Sequence, residues 1–232
     1  MPIRRNLDDE LLHLQKLLLR MADTVDEQFA DALNALFQRD EELASAVRRR
    51  DDEVDALELE VDRHCERVLA LHQPVADELR MLITAVKINT DLERIGDHCK
   101  NIAKNTPYMA HAPLALKAAR LQPMADAARA MLRQVYDAFV KRDQALAEGV
   151  LAQDDYVDAL HKDNFFALVE HGRTHPEDME AVAHLITASK AIERISDHAK
   201  NIAESVVFLI EGIDIRHQRE DGPLIPQRPT HE

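Results

Sequence analysis

The sequence predicts an all-α protein built as two tandem, pseudo-symmetric three-helix bundles, with six long helices in all. Three observations lead to this prediction. The 232 residues include only five glycines and no tryptophan, and the abundance of Ala, Leu, Glu and Arg favours helix over sheet. Apolar residues recur at three- and four-residue steps, which is the period of an amphipathic helix. The two halves of the chain also repeat one another, which indicates a duplicated unit.

The repeat runs in two registers. The segment LERIGDHCKNIA at 92–103 returns 100 positions later as IERISDHAKNIA at 192–203. Upstream the offset is 103, so that Arg39-Asp40 returns as Arg142-Asp143 and 51–57 returns as 154–160. A small insertion or deletion between the two registers, near the turns around Pro74 and Pro176, explains the change of offset.

The first copy divides into three helices. Apolar residues from Leu11 to Leu36 predict the first helix. Asp40 is a suitable N-cap for the second, which is expected to run to about Leu71 and to end before Pro74. The third is predicted over 75–105, ahead of Pro107, because the residue before a proline is disfavoured in helix.

The second copy repeats this order. Its first helix is predicted to start near Pro113, with Pro123 either delaying that start or kinking the helix. The next helix is expected to break after His171-Gly172, and the last is predicted over 176–212. We therefore expect one repeat over 1–110, a second over 111–213, and a disordered tail over 214–232, where Arg, Gln, Asp, Gly and Pro dominate.

Composition limits the classes of function. A formal net charge of −14 argues against nucleic acid, whose phosphates attract Lys and Arg, and is compatible with cations or a basic protein surface. Charges interrupt every apolar run, so neither membrane insertion nor a secretion signal is expected. The two cysteines, Cys65 and Cys99, form no disulfide framework. We expect a soluble cytoplasmic protein.

The residues retained in both copies include paired carboxylates. Residues four apart on a helix lie about 40° apart around its axis, so each Asp-x-x-x-Asp or Glu-x-x-x-Asp pair places like charges side by side, at a cost of about 0.2–0.5 kcal/mol per pair. An oxygen-rich site for a hard cation such as Mg²⁺, Mn²⁺, Ca²⁺ or Fe³⁺ would compensate this repulsion. The candidate metal ligands are Asp51, Asp55, Glu93, Asp97 and Asn101 in the first copy, and Asp154, Asp158, Glu193, Asp197 and Asn201 in the second.

Two other interpretations stay open. Acidic residues on a helix are often only a solvated face, and Arg94 and Arg194 could neutralise their neighbours. A di-iron or di-manganese carboxylate enzyme would use Glu-x-x-His on inward-facing helices, and Glu10-Leu-Leu-His13 fits that string. The second copy has Leu116 where the first has His13, however, so the string is not duplicated. No nucleophile–base set or phosphate-binding glycine loop is present either, and we expect a protein that is not an enzyme.

The two ERIxD strings, each followed by Asn-Ile-Ala, resemble the paired signature of the PhoU family of phosphate-signalling regulators. The resemblance extends to QPVADELR at 73–80 and EGIDIRH at 211–217, and it covers the chain from the first helix to about His217. It implies two three-helix bundles whose E/D-x-x-x-D motifs hold multinuclear metal clusters in some members, with Mg, Mn, Fe or Zn as the candidates here.

By the same resemblance, the protein is expected to be a cytoplasmic negative regulator of phosphate uptake and of the phosphate-starvation response. Its expected partners are the ATPase of a phosphate ABC transporter and a membrane sensor histidine kinase, and a homodimer is expected. Two departures are visible: His161 stands in the second copy where the first has Glu58, and Ser196 stands where it has Gly96. The two metal sites are therefore expected to differ in metal or affinity, with the second as the weaker candidate.

Overall fold

The structure is a computed structural model, and it describes residues 2–110 and 112–215, with side chains from residue 7 onward. Within these residues the chain is helical and has no strand, which confirms the all-α prediction. The helices are α1 Pro2–Gln38, α2 Glu41–His72, α3 Asp77–Ala103, α4 Pro113–Ala118, α5 Leu121–Lys141, α6 Gln144–Leu151, α7 Asp154–Thr174 and α8 Met179–Glu211, with 3₁₀ turns at Thr106–Met109 and Pro176–Asp178. The predicted disordered tail lies, from residue 216 onward, outside the described residues.

Two of the six predicted helices are interrupted in the second copy. The fourth divides into α4 and α5, and Pro123 lies in the first turn of α5, where its missing N–H leaves no hydrogen bond unmade. The fifth divides into α6 and α7, a break that the sequence does not predict. There the Gln134 side chain donates from Nε2 to the Leu146 carbonyl at 2.8 Å and accepts from Gln153 Nε2 at 2.9 Å. Gly149 leaves room for that amide, since a Cβ on it would lie 2.5 Å from Gln134 Nε2.

The same turn joins the first two helices of each copy. Arg39 and Arg142 both adopt positive φ, at 60° and 48°, and the next residue caps the following helix. Asp40 accepts a hydrogen bond from the Leu43 N–H at 2.9 Å, and Asp143 accepts one from the Leu146 N–H at 3.1 Å. Such caps satisfy an N–H that the start of a helix leaves unpaired. The Asp40 N-cap predicted from the sequence is thus present, and its repeat is present too.

Each copy buries an apolar core between its helices. In the first copy α1 packs against α2 and α3, and in the second α5 packs against α6 and α8, with α7 also packed on α8. Residues with no more than 2% exposure dominate both interiors, among them Leu14, Leu18, Met21, Phe29, Val54, Leu92 and Ile95, then Met124, Leu132, Val135, Val157, Leu185 and Ile195. Burial of side chains of this size stabilises the fold by about 1.5–3 kcal/mol each.

α3 and α8 join the two copies as an antiparallel pair. Their contacts run in opposite directions along the chain: Asn105 meets His184 and Asp91 meets His198. A second junction links α1 to α5, where Arg129 donates to both oxygens of Asp26 at 2.8 and 2.9 Å. We propose that the repeats correspond to residues 1–110 and 111–213, meeting along these helix pairs.

Candidate metal centre

The first carboxylate cluster comprises Asp51 and Asp55 on α2 with Glu93 and Asp97 on α3. Burial raises the pKa of Asp55, and the charges of Asp51 and Asp97 raise it further. Burial also raises the pKa of Glu93, with Asp97 as the strongest charged contributor and Asp55 a lesser one. Carboxylates on two helices thus lie within electrostatic reach of one another. Their mutual repulsion favours any cation that can sit between them.

The second carboxylate cluster comprises Asp154 and Asp158 on α7 with Glu193 and Asp197 on α8. Oxygens of Asp154, Asp158 and Asp197 lie within 4.8 Å of one another, close enough to share one metal ion. Burial and the charges of Glu193 and Asp154 raise the pKa of Asp197. This is the tighter group among the described residues, although the replacement of Glu58 by His161 suggests the opposite order.

A lysine enters each cluster, and neither lysine is among the residues that the sequence predicts for these sites. Lys100 Nζ forms an ion pair with Asp51 and another with Asp97 Oδ1, the latter at 2.9 Å. Lys200 Nζ forms an ion pair with Asp154 Oδ2 at 2.6 Å. These contacts raise the pKa of both ammonium groups, so both are charged. The signal was available, because Lys100 and Lys200 occupy the same position in the two repeated segments.

The two clusters differ in how their buried aspartate is satisfied. Asp51 is 5% exposed, and its Oδ1 accepts a hydrogen bond from Gln28 Nε2 at 3.4 Å. The offset of 103 places Met131 at the equivalent of Gln28, and methionine cannot donate. Asp154 is 4% exposed, and its Oδ1 has no hydrogen-bond partner among the described residues. Because an unpaired buried carboxylate oxygen is costly, the donor set of the second cluster fits a metal ion better than that of the first.

Gln28 also explains the departure between Gly96 and Ser196. A Cβ on Gly96 would lie 3.2 Å from Gln28 Oε1 and 3.2 Å from Val54 Cγ1, a close fit in the first copy. In the second copy the serine hydroxyl donates to the Glu193 carbonyl at 2.6 Å. The difference between Gly96 and Ser196 therefore follows local packing.

Asn101 and Asn201 lie at the α3–α8 interface, although both are predicted from the sequence to be metal ligands together with the carboxylates. Asn101 lines a cleft between α3 and α8, and Asn201 Nδ2 donates to Asp91 Oδ1 at 3.2 Å. His98 and His198 lie at the same interface, with ring centroids 5.5 Å apart. Burial and the neighbouring His198 lower the pKa of His98 to about 4, so its imidazole is neutral near pH 7. Neither histidine joins a carboxylate cluster.

The fold and its two acidic clusters define a class of protein: a helical bundle built from a repeated unit, with one carboxylate-rich cluster in each copy. Among the described helices none is both long and apolar enough to cross a membrane. The model of the PhoU domain matches residues 18–106 and again 121–206, once on each copy. The chain belongs to the PhoU family.

Relatives match nearly the whole chain. The "Phosphate-specific transport system accessory protein PhoU homolog" of Pseudomonas aeruginosa is 35% identical over 216 residues, covering 93% of this chain and 89% of its own. The protein of the same name in Caulobacter vibrioides is 35% identical over 224 residues, covering 96% of this chain and 97% of its own.

Solved structures agree with the fold. The crystal structure of PhoU from Pseudomonas aeruginosa superposes with a TM-score of 0.84 at 34% identity, over 89% of this chain and 99% of that one. The phosphate transport system regulatory protein PhoU from Streptococcus pneumoniae also gives a TM-score of 0.84, at 26% identity, over 90% of this chain and 99% of that one.

Proposed function

We propose that this protein is an accessory protein of a phosphate-specific transport system and a negative regulator of phosphate uptake and of the phosphate-starvation response. The observation that carries the proposal is the extent of the family match, which includes both copies of the repeat and nearly the whole of the chain. Membership of an accessory-protein family relates the chain to phosphate transport. The direction of regulation and the cytoplasmic location are part of the proposal.

The proposed mode of action is that of an adaptor, not an enzyme. Its partners would be the ATPase of the phosphate ABC transporter and a sensor histidine kinase. A two-lobed shape with a net charge of −14 suits an adaptor that binds basic surfaces, since electrostatic complementarity speeds association and selects partners. A homodimer is proposed as well. Such contacts weaken as salt rises, because exposed charges are screened beyond about 8 Å at physiological ionic strength.

The carboxylate clusters are the proposed metal centres. In the second cluster Asp154, Asp158 and Asp197 would hold a hard cation, with Glu193 beside them. His161 lies beside them: burial lowers the pKa of its imidazole, and the nearby charges of Glu193 and Asp158 offset only part of that effect. In the first cluster Asp51, Asp55, Glu93 and Asp97 would act in the same way. Mg, Mn, Fe or Zn would supply the positive charge that holds the carboxylates of two helices together.

A metal-free scaffold is the second candidate, and one observation favours it. Lys100 and Lys200 already neutralise part of each cluster, so the helices can pack without an added cation. On that view the acidic faces serve only to bind a basic partner. A metal-dependent enzyme or metal store on the same bundle is a third alternative.

The experiment is complementation of a deletion strain, read out through a phosphate-starvation promoter in high phosphate. Wild type should restore repression. Asp158→Ala with Asp197→Ala should lower metal content, measured by elemental analysis of untagged protein, and should impair repression. The matched control is Asp155→Ala with Asp163→Ala, two exposed aspartates of α7 outside the cluster.

Each outcome bears on a separate part of the proposal. A deletion that leaves the promoter repressed in high phosphate would refute the regulatory role. Full complementation by the Asp158/Asp197 variant would leave the regulator in place but make that metal centre dispensable to signalling. Wild-type protein that purifies without metal, and does not take up added Mg²⁺, Mn²⁺, Fe or Zn²⁺, would favour the metal-free scaffold.

A further inference from the structure

The interface between α3 and α8 has two faces that the repeat makes equivalent, and one of them is closed by an aspartate. On this closed face Asp91 of α3 accepts hydrogen bonds from His198 Nδ1 at 2.8 Å and from Asn201 Nδ2 at 3.2 Å. Its side chain is only 14% exposed. A carboxylate therefore occupies the space beside His198 and Asn201.

On the opposite, open face that carboxylate is missing. The offset of 100 relates Asp91 to Ala191, and it relates His198 and Asn201 to His98 and Asn101. These three residues of the open face line a cleft of about 700 Å³ between the two helices. The imidazole and the amide that hold the Asp91 carboxylate on the closed face thus have equivalents that line this cleft, where Asn101 Oδ1 accepts a hydrogen bond from Lys104 Nζ at 3.3 Å.

The charges around the open face also favour an anion. Lys104 stands where the closed face has Glu204, and Lys190 stands where it has Thr90. With Arg194, three cationic side chains line the cleft, and its described lining includes no Asp or Glu. In a chain with a net charge of −14, a cleft lined by three cations and by no carboxylate among its described residues favours an anion, although Lys190 and Arg194 are also paired with Glu193 and Asp197 at its edge.

Two of these cations also reach the second carboxylate cluster. Lys190 Nζ donates to Glu193 Oε1 at 2.5 Å, and Arg194 donates to Asp197 Oδ2 at 2.9 Å. Their positions at the edge of the cleft are therefore held by existing ion pairs. His184 lies at the far end, where its Nδ1 donates to Asn105 Oδ1 at 2.8 Å. The cleft is preorganised by contacts within the protein.

We propose that the open face of the α3–α8 interface binds a phosphate-bearing anion, either free phosphate or the phosphate group of a small phosphomonoester. A phosphate group offers three or more strong acceptor oxygens, which matches the several donors around the cleft better than a single carboxylate does. Charge-assisted hydrogen bonds from Lys and Arg are the stronger kind. This binding goes beyond the proposed function and does not depend on it.

The test is isothermal titration calorimetry of the full chain with inorganic phosphate, glycerol phosphate and acetate in turn, at constant ionic strength. Saturable binding of either phosphate, with acetate much weaker, is expected. A preference for glycerol phosphate would identify the phosphomonoester as the ligand, and a preference for inorganic phosphate would identify the free anion.

The decisive variant places an aspartate on the open face, at the position equivalent to Asp91 of the closed face. Ala191→Asp should reduce phosphate affinity at least tenfold, because its carboxylate takes the place of the ligand. The matched control, Ala191→Asn, has nearly the same size without the charge and should reduce affinity much less. Lys104→Glu alters an exposed residue to the one found on the closed face, and should also reduce affinity about tenfold or more.

The thermal unfolding of each variant shows whether it remains folded. If Ala191→Asp does not fold, the phosphate affinity of Lys104→Glu decides the test. The proposal is wrong if wild type binds neither phosphate, or if it binds acetate as tightly as phosphate. It is equally wrong if a folded Ala191→Asp or Lys104→Glu variant binds phosphate as wild type does.

Discussion

Lys100 is expected to stabilise the first carboxylate cluster in the absence of any metal, and Lys100→Met tests this directly. The substitution keeps most of the side chain's length and apolar volume while it removes the charge. Asp51 is 5% exposed and would lose its ion-pair partner, keeping only the long hydrogen bond from Gln28. Most of the loss in stability would come from leaving the buried Asp51 carboxylate without a counter-charge.

The magnitude follows from the burial of the two partners. Removing one member of a buried ion pair costs roughly 3–5 kcal/mol. The Lys100 side chain is 26% exposed, so water would reach part of the vacated space, and we expect a cost below that range, of about 2–3 kcal/mol. For a chain of this length that corresponds to a fall in Tm of about 4–12 °C. The measurement is urea and thermal unfolding at pH 7, followed by circular dichroism, with EDTA present.

A double-mutant cycle separates this ion pair from other effects. Asp51→Asn on the Lys100→Met background should cost less than Asp51→Asn alone, with a coupling of about 1–2 kcal/mol. Lys162→Met, an exposed lysine of α7, is the matched control and should change stability by less than about 0.5 kcal/mol. A coupling near zero, or equal effects of Lys100→Met and Lys162→Met, would refute the reasoning.

Two further predictions concern the joints between elements. Burial raises the pKa of Asp26, but hydrogen bonds from Arg129 and Arg133 outweigh burial, and the net effect is a lowered pKa. The ionised Asp26 therefore stabilises the fold above about pH 4, the pKa of an aspartate in the unfolded chain. This stabilisation is lost as the pH falls through the lower pKa that Asp26 has in the folded protein. Asp26→Asn should cost about 1–3 kcal/mol at pH 7 and much less near pH 2, measured by urea unfolding across pH, with exposed Asp23→Asn showing no such change. Asp143→Ala removes the cap bond to Leu146 and should cost about 1 kcal/mol in the same assay at pH 7; equal stability to wild type would show that the cap is not needed there.

Much of the fold could be predicted because it depends on local signals. The period of the apolar residues located the helices, Asp40 marked a cap, and Pro123 marked the late start of α5. The break between α6 and α7 could not be predicted in the same way. It depends on the Gln134 amide, which reaches Leu146 from another helix, and no property of 144–174 alone reveals that contact.

The candidate site was predicted in part for a similar reason. A helical wheel places Glu93 and Asp97 on one face, and the structure brings them near Asp51 and Asp55. Each further step of four residues rotates about 40°, so Asn101 has turned about 80° from Glu93 and reaches the α3–α8 interface instead. Lys100 was overlooked because the wheel describes one helix, whereas its ion pair with Asp51 spans two.

The lysines within the carboxylate clusters bear on how the protein would respond to losing a metal. In a small zinc-dependent domain, binding free energy is folding free energy, and a chelator unfolds the protein. Here an ammonium group already stands against the buried aspartate of each cluster, so an arriving cation would replace one positive charge with another. The observed free energy of metal binding would be that of the metal–carboxylate contacts less that of the lysine–aspartate ion pair that they replace. A chelator would then return the lysine to its aspartate and leave the helices packed, which makes metal occupancy a reversible state of a permanently folded protein.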